Sequence, residues 1–279
     1  MGDLATDTAV EPTGEGLFRA TVSADWEIWG PMGGYVAAIA LRAAGAASPH
    51  PHPAAFSCHY LGVARFEPVD VRVETRRSGR AATSQRVEIS QDGRAILDAM
   101  VWSVGDGEGL EHDETVAPEV GGPEEVPSIQ ELLPEDAVPP FPFWNNLDAK
   151  PVDFELEWPP DGPRPARWRE WLRFVPTATY DDPWVDAARV VILVDLPSWP
   201  SAHRPHAWKQ PRFTAPTLDL NVVFHRPTIA EPWLLCDGEA PVSTGGLFGW
   251  TARVWSPSGR LHASGGGQCI YRRLPAPST

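Results

Sequence analysis

The first half of the chain opens its hydrophobic pattern with a nearly uninterrupted apolar run. The segment GPMGGYVAAIALRAAGAA begins at Gly30, and the stretch from Gly34 onward carries Arg42 as its only charge. A helix that is apolar on all sides is one that packs inside a protein and not on its surface. The pattern therefore predicts a helix that is buried on nearly all sides.

Strand patterns follow this helix. Apolar and charged residues alternate with period two from Val69 to Arg76, which predicts a strand with one buried face and one wet face. A second strand is predicted over 84–90, and Asp92-Gly93 is a hairpin signal. The strand after it, 95–104, is apolar on both faces and is expected near the centre of a sheet.

The second half repeats the order of helix and strands. Asp182 and Pro183 are an N-cap and a first helical residue, and they predict a helix from Trp184 to Leu196 that ends before Pro197. Its VVILV run also favours a strand, so the prediction depends on the cap and on the parallel with the first half. Further strands are predicted at 168–175, 218–225, 233–236, 249–255 and 261–271.

An internal repeat relates the two strand sets. Setting Arg65 against Arg226, and Gly93 against Gly259, aligns them with an offset of roughly 161 to 166 residues. A helix wrapped by an antiparallel sheet, present twice, predicts an α+β double hotdog whose two tandem units form one continuous pseudo-dimeric sheet. The intervening acidic, Pro/Gly-rich stretch reads as a solvated connector. We therefore expect an N-terminal domain over 1–106, a connector over 107–142 and a C-terminal domain over 143–279.

Composition excludes several classes of function. The net charge of −14 argues against nucleic acid as a partner, because phosphate binding draws on Lys and Arg. The N-terminus has no signal-like pattern, and no apolar run is long enough for a membrane span. Cys58, Cys236 and Cys269 lie far apart without metal-ligand spacing, which favours a reducing, cytoplasmic location. The His pairs in SPHPHP and AHRPHAW lack a matching acid or cysteine, so no metal site is predicted.

Several sequence motifs of the chain resemble those of the acyl-CoA thioesterase II family of double-hotdog thioesterases. In the first half the resemblance rests on Gly33-Gly34 before the apolar helix, AFSCHYL and VRVETRRSGRAATSQRVEISQDGRAI. In the second half it rests on KPVDFELE, PARWREWLRF, TLDLNVVFHRP, EPWLLC, SPSGRLHAS and Gln268. The chain departs from the family at LGVARFEP, where relatives have a shorter aromatic-Leu-Arg-Pro-Gly turn.

The resemblance implies hydrolysis of acyl-CoA esters without a cofactor, by a water that an Asp, a hydroxyl residue and a Gln hold in the second half. Asp219 and Gln268 match the Asp and Gln of that pattern. For the hydroxyl residue the chain offers Thr244, with Ser243 as the alternate; Ser243 is otherwise expected to contact substrate.

The repeat supports a single reactive centre without reference to any family. Asp219 aligns with Cys58 of the first half, and Gln268 aligns with Trp102. An Asp in a Leu- and Val-rich strand would have its pKa raised by desolvation and would be the base, with Gln268 orienting the water. The structural alternative is that Asp219 caps a turn or pairs with an Arg.

Two glycines are expected to bind the substrate. Gly33 and Gly34 start the apolar helix, where free N–H groups suit a thioester oxyanion and the lack of Cβ permits close approach. A tight packing turn is the alternative reading. Asp195, late in the second helix, is a second acidic candidate, for which a solvent contact or an ion pair is the simpler role.

Two further functions remain open from the sequence. A non-catalytic acyl-CoA binding protein or sensor would use the same polar pair to orient its ligand. An enoyl-CoA hydratase of the same fold is the weaker alternative, since Asp219 and His225 lack the short hydratase spacing and its context. Because the two halves already supply each other's partner, any homodimer or homotetramer is expected to form through the outer sheet faces.

Overall fold

The computed structural model describes residues 1–157, 159–209 and 212–274. The helices are α1 Leu4–Asp7, α2 Gly33–Ala47, α3 Ile129–Leu132, α4 Pro183–Asp195 and α5 Ser198–His203, with 3₁₀ turns at Ala24–Trp26, Pro142–Asn146 and Arg204–Lys209. The strands are β1 Glu11–Gly14, β2 Leu17–Thr21, β3 His52–Tyr60, β4 Pro68–Ser78, β5 Ala82–Gln91, β6 Arg94–Val104, β7 Leu147–Pro151, β8 Arg167–Phe174, β9 Phe213–Thr214, β10 Thr217–Phe224, β11 Leu234–Thr244, β12 Leu247–Trp255, β13 Leu261–Ile270 and β14 Arg272–Arg273.

One antiparallel sheet joins both halves of the chain. Its order is β1-β2-β4-β5-β6-β3-β10-β13-β12-β11-β8-β7, and β9 and β14 form a separate two-stranded ribbon. The halves meet at β3 and β10, where Ser57 lies opposite Asn221. The first six strands of this order belong to the first half and the last six to the second, which is the predicted double hotdog.

The two long helices pack against each other on one face of this sheet. In α2, every residue from Gly34 to Leu41 is buried, as the all-apolar pattern predicts. In α4, the Asp182 side chain accepts hydrogen bonds from the N–H groups of Trp184 and Val185. The cap and Pro183 thus start a helix in spite of the strand propensity of the VVILV run, and the predicted helix is confirmed.

The predicted hairpin turns are also present. Asp92 and Gly93 both have positive φ, at 50° and 75°, which is the backbone of a tight two-residue turn between β5 and β6. Gly259 has φ 78° in the turn between β12 and β13. Prediction fell short in β11, which extends to Thr244 beyond the predicted end at 236, because polar Asp237 and Glu239 interrupt the apolar pattern.

Part of the acidic connector packs on the sheet instead of lying in solvent. Ala117, Val120 and Val126 cover a small apolar cluster of Trp171, Leu235, Trp255 and Leu261 on the side away from the helices. Trp171 Nε1 donates a hydrogen bond of 2.8 Å to the carbonyl of Gly121. These contacts anchor the connector to the second half. In the described part of the chain, each helix is too short or too polar for a bilayer crossing.

Candidate active site

A polar contact lies where the beginning of α2 meets the end of α4. The N–H of Gly34 donates a hydrogen bond of 2.7 Å to Oδ2 of Asp195. A Cβ at Gly34 would lie 2.9 Å from the Cα of Ile192 and 3.0 Å from the Cβ of Asp195. Only glycine allows the two helices to come this close, so the first turn of α2 can hold the carboxylate directly.

Asp195 is a buried carboxylate with a second hydrogen bond. Asp195 is 5% exposed, and its Oδ1 accepts a hydrogen bond of 3.3 Å from Oγ1 of Thr217. Burial raises the pKa of Asp195 to about 6, although the hydrogen bonds from Gly34 and Thr217 act to lower it. A carboxylate with such a pKa is ionised at pH 7 and is basic enough to accept a proton from water.

A bulge in β10 turns Thr217 toward Asp195. Thr217 lies opposite Cys269 and Asp219 lies opposite Gln268, so Leu218 is an extra residue between the two pairs. Strict alternation would place Thr217 and Asp219 on the same face of the strand, and the extra residue places them on opposite faces. Thr217 faces the helices as a result, and its hydroxyl reaches the carboxylate.

Asp195 and Thr217 line a cavity of about 460 Å³. Gly33 and Tyr60 contribute to the same wall, and the rest of the lining is mainly apolar, with Trp29 and Trp199 among it. Trp29 and Trp199 contact each other edge to face at 5.5 Å between ring centroids. A cavity with apolar walls and a few convergent polar groups is the usual form of a small-molecule site.

Tyr60, at the end of β3, brings a buried hydroxyl to the cavity. Its oxygen bonds to no nitrogen or oxygen atom within the described part of the chain, and the Cys58 thiol is its neighbour. A Cβ at Gly33 would lie 3.3 Å from this oxygen, so the hydroxyl and the start of α2 are neighbours. Burial raises the pKa of Tyr60 well above its ordinary value, so the phenol keeps its proton and remains a donor.

Two thiols adjoin the site without being reactive. Cys269 donates a weak hydrogen bond of 3.7 Å from Sγ to Oγ1 of Thr217. Burial raises the pKa of both Cys58 and Cys269 far above the ordinary range. Since the thiolate is the nucleophile, these cysteines act as small buried side chains here.

Asp219 and Gln268 lie together, but away from the cavity. They are direct partners across β10 and β13. Asp219 alternates with Leu220 and Val222, which are buried under the helices, so its side chain is on the outer face of the sheet. Gln268 is an exposed residue on that face, next to buried Cys269. The predicted pair is thus adjacent, yet the sheet separates it from the cavity, Asp195 and Thr217.

The two proposed hydroxyl residues lie at the tip of a hairpin. Ser243 and Thr244 end β11, are exposed, and lie opposite Phe248 and Leu247. The Ser243 hydroxyl donates a hydrogen bond of 3.1 Å to Oη of Tyr271. Neither side chain is part of the cavity wall. Gly33 does line the cavity, whereas the N–H of Gly34 is already bonded to Asp195 and positions the carboxylate.

Sequence reasoning missed Thr217 and Tyr60 and gave Asp195 a lesser role. One signal for Asp195 was available in the repeat. Asp195 ends the helix that corresponds to α2, and two packed hotdog helices bring the end of one to the start of the other, where Gly33-Gly34 lies. The sequence carries no such signal for Thr217, because the bulge that turns its side chain toward Asp195 cannot be recognised from the alternation of apolar and polar residues in β10.

Comparison with known proteins bears on the whole chain. A model of the acyl-CoA thioesterase N-terminal domain matches residues 22–104, and one of the acyl-CoA thioesterase C-terminal domain matches 123–266. Human acyl-coenzyme A thioesterase 8 is 24% identical over 287 residues, which cover 95% of this chain and 88% of that protein.

Solved structures show the same fold. The acyl-CoA thioesterase II TesB2 of Mycobacterium marinum superposes with a TM-score of 0.79 at 22% identity, covering 98% of this chain and 99% of that one. A hot dog fold protein from Alicyclobacillus acidocaldarius gives 0.80 at 23% identity, covering 98% of each chain. The double hotdog is thereby confirmed, and the two family models together show that the chain belongs to the acyl-CoA thioesterases.

Proposed function

We propose that this acyl-CoA thioesterase hydrolyses its substrate with a water activated by Asp195, in the cavity where α2 begins and α4 ends. The observation that carries the proposal is the buried Asp195 carboxylate, held by the Gly34 N–H and the Thr217 hydroxyl at the wall of an apolar cavity. The two hydrogen bonds fix the direction of the carboxylate, and the apolar walls suit an acyl chain.

The chemistry needs a base, an oxyanion donor and a proton for the leaving group. Asp195 takes a proton from water, and the hydroxide attacks the carbonyl carbon of the thioester. The carbonyl oxygen becomes an oxyanion, to which the Tyr60 phenol and the first turn of α2 offer hydrogen bonds. The C–S bond then breaks, the proton on Asp195 passes to the sulfur, and the products are a carboxylic acid and free CoA.

Thr217 positions the base. Its hydroxyl donates to Asp195, which leaves a lone pair that can accept a hydrogen bond from the attacking water. The resemblance to thioesterase II implied an Asp, a hydroxyl residue and a Gln, and Asp195 with Thr217 supplies the first two. This proposal replaces Asp219, Thr244 and Ser243 at the water. It leaves Gln268 on the outer face, where a contact with Asp219 is its simplest role.

Thiol release from a panel of acyl-CoAs tests the proposal. Thr217→Val keeps the size of the side chain and removes the hydroxyl, so kcat should fall roughly tenfold or more, whereas Thr217→Ser should retain most activity. Tyr60→Phe should lower kcat with little effect on KM, because its hydroxyl acts on the oxyanion. Wild-type turnover in both Thr217→Val and Tyr60→Phe would place the reaction elsewhere.

The same assay separates the other readings. Tight binding of acyl-CoA without thiol release would favour a binding protein or sensor. A change in crotonyl-CoA absorbance without thiol release would favour a hydratase.

We also propose a cytoplasmic location and a homodimer or homotetramer. The three cysteines are buried and unpaired, which agrees with a reducing compartment. Trp102 and Val223 lie opposite the same residue, Ala55, on the outer face, and are 39% and 45% exposed. Exposed apolar side chains that adjoin across strands suit a subunit contact. Light scattering should give two or four chains per particle, and Trp102→Asp should reduce that number.

A further inference from the structure

Acidic residues are absent from two stretches of an otherwise acidic chain. The chain has 37 Asp and Glu against 23 Lys and Arg, yet none of the acids falls between Asp195 and Asp219 or after Glu239. These stretches meet in the ribbon of β9 and β14. A polyanion would be repelled by the molecule as a whole, and this region has the opposite local charge.

Three arginines are concentrated on the ribbon. Arg272 lies opposite Thr214, Arg273 lies opposite Phe213, and the N–H of Leu274 donates to the carbonyl of Arg212 at 2.9 Å. All three, Arg212, Arg272 and Arg273, are exposed residues. Within the described ranges, none of the three forms an ion pair with a carboxylate. Their guanidinium groups are therefore available to an anionic ligand.

The ribbon adjoins the wall of the cavity. Thr214 is one of the residues that line it, and the Thr214 hydroxyl donates to the Arg272 carbonyl at 3.5 Å. Residues directly opposite in an antiparallel pair share a face, and so do residues two apart in a strand, so Arg272 and Arg212 are on the face of Thr214 and Arg273 is on the other face. We call Arg212 and Arg272 the mouth arginines. The ring of Tyr271, next to it, contacts Trp199 of the wall at 6.2 Å between centroids.

Exposed aromatic rings accompany the arginines. Phe213 on the ribbon is 37% exposed, and Trp29 at the cavity is 51% exposed. Aromatic faces and guanidinium planes both stack on nucleobases, and guanidinium groups bind phosphate with paired hydrogen bonds. The surface beside the cavity thus combines the two kinds of group that a nucleoside phosphate requires.

We infer that the mouth arginines bind the phosphate groups of the CoA nucleotide while the thioester lies at Asp195. This inference rests on the proposed function, since it concerns the other end of the same substrate. The pantetheine arm separates the nucleotide from the thioester, so a cationic surface beside the cavity and a reactive carboxylate inside it match the two ends of one molecule. The net charge of −14 makes such a local cluster necessary for binding a polyanion.

Substrates with and without the nucleotide test the inference. The double variant Arg212→Ala/Arg272→Ala should raise KM for an acyl-CoA by roughly ten- to a hundredfold with kcat unchanged. It should leave KM for the same acyl group on pantetheine unchanged. The acyl ester of dephospho-CoA should show a smaller effect if the 3′-phosphate is the main contact, and an equal effect if the diphosphate is.

A matched control removes the same charge elsewhere. Arg253 and Arg260 are also exposed and form no ion pair in the described part of the chain. Arg253→Ala/Arg260→Ala should leave KM for acyl-CoA within about twofold, because net charge alone is a weak, screened effect. Arg272→Lys should keep part of the affinity, since it retains a charge but loses the paired hydrogen bonds.

Calorimetric titration of free CoA keeps the test independent of catalysis. The mouth variant should bind CoA at least tenfold more weakly than the wild type, even if no thioester is hydrolysed. Equal CoA affinity in both proteins would overturn the inference, as would an equal rise of KM for acyl-CoA and acyl-pantetheine, which would show that the ribbon only shapes the cavity. Absence of thiol release from every thioester would instead overturn the proposed function.

Discussion

The two junctions between α2 and α4 have the same construction and different contents. At one junction the beginning of α2 meets the end of α4, and the Gly34 N–H bonds to Asp195. At the other, the beginning of α4 meets the end of α2, and a Cβ at Gly45 would overlap the Trp184 indole. Gly34 and Trp184 are the second residues of their helices, and Gly45 and Asp195 are the thirteenth.

The proposed function has one reactive centre per chain, and the difference between the junctions agrees with it. At the junction of Gly34 with Asp195, called here the open junction, the glycine leaves room for the carboxylate, and a cavity of about 460 Å³ adjoins it. At the junction of Trp184 with Gly45, called the closed junction, the indole of Trp184 fills the space beside Gly45, and Trp184 is 8% exposed. Arg42 Nη1 and Asp182 Oδ2 also approach to 3.9 Å at this junction. Under the proposed function, packing stabilises the closed junction, and the unfilled, polar open junction is the site of the chemistry.

The largest expected effect comes from removing the carboxylate of the open junction. Asp195→Asn keeps the shape of the side chain and can still accept the Gly34 hydrogen bond, but it cannot take a proton from water. We expect kcat/KM for acyl-CoA to fall by about 10²–10⁴-fold. Thiol release measures this, and thermal melting is the control for folding. Activity within tenfold of the wild type would exclude Asp195 as the base.

The Trp184 indole fills the closed junction, so its removal should lower the stability of the protein and leave its activity unchanged. Trp184→Ala should lower the free energy of unfolding by about 3–5 kcal/mol, through lost burial and the cavity left behind. Urea denaturation measures the loss, and Trp184→Phe should cost clearly less. Below its melting range, the Trp184→Ala protein should keep kcat/KM within about threefold. If Trp184→Ala lost as much kcat/KM as Asp195→Asn, both junctions would take part in the reaction.

Matched glycine substitutions compare the junctions directly. Gly34→Ala and Gly45→Ala each force a methyl group into a packed helix contact, at a cost of about 1–3 kcal/mol in unfolding free energy. Only Gly34→Ala also displaces Asp195, so it alone should lower kcat, by roughly ten- to a hundredfold. The two melting temperatures and the two kcat values make the test. Equal kcat in both variants would contradict the proposed role of the open junction.

The pH dependence of activity should reflect only the open junction. Burial raises the pKa of Asp195 to about 6, and the reaction needs the carboxylate form. Thus kcat/KM should rise with pH, level off above about 6 and be roughly tenfold lower one unit below that pKa. The residual activity of Asp195→Asn should lack this rise. Wild-type activity that stays flat between pH 5 and 7 would contradict the assignment.

The sequence predicts part of this structure. Periodicity, the Asp182 cap and the Asp92-Gly93 turn predict both long helices and most strands, because each of these signals is local. The contact between Gly34 and Asp195 spans 161 residues of chain and exists only after the helices pack. The Gly265–Gly267 run before Gln268 carries no side chains from which a face could be read. The cavity and the buried position of Asp195 could therefore be seen only in the folded structure.

The smallest expected effect concerns the residues that the sequence placed first. Asp219→Asn and Gln268→Ala alter a pair on the outer face, separated by the sheet from the cavity, so each should leave kcat/KM within about threefold of the wild type. Asp219→Asn makes the same chemical change as Asp195→Asn. A difference in activity between the two variants therefore reflects where each carboxylate lies in the fold. A large loss in Asp219→Asn with normal activity in Asp195→Asn would move the reactive centre to the outer face. The present geometry argues otherwise, because a single extra residue at Leu218 reverses which neighbours in β10 face the helices.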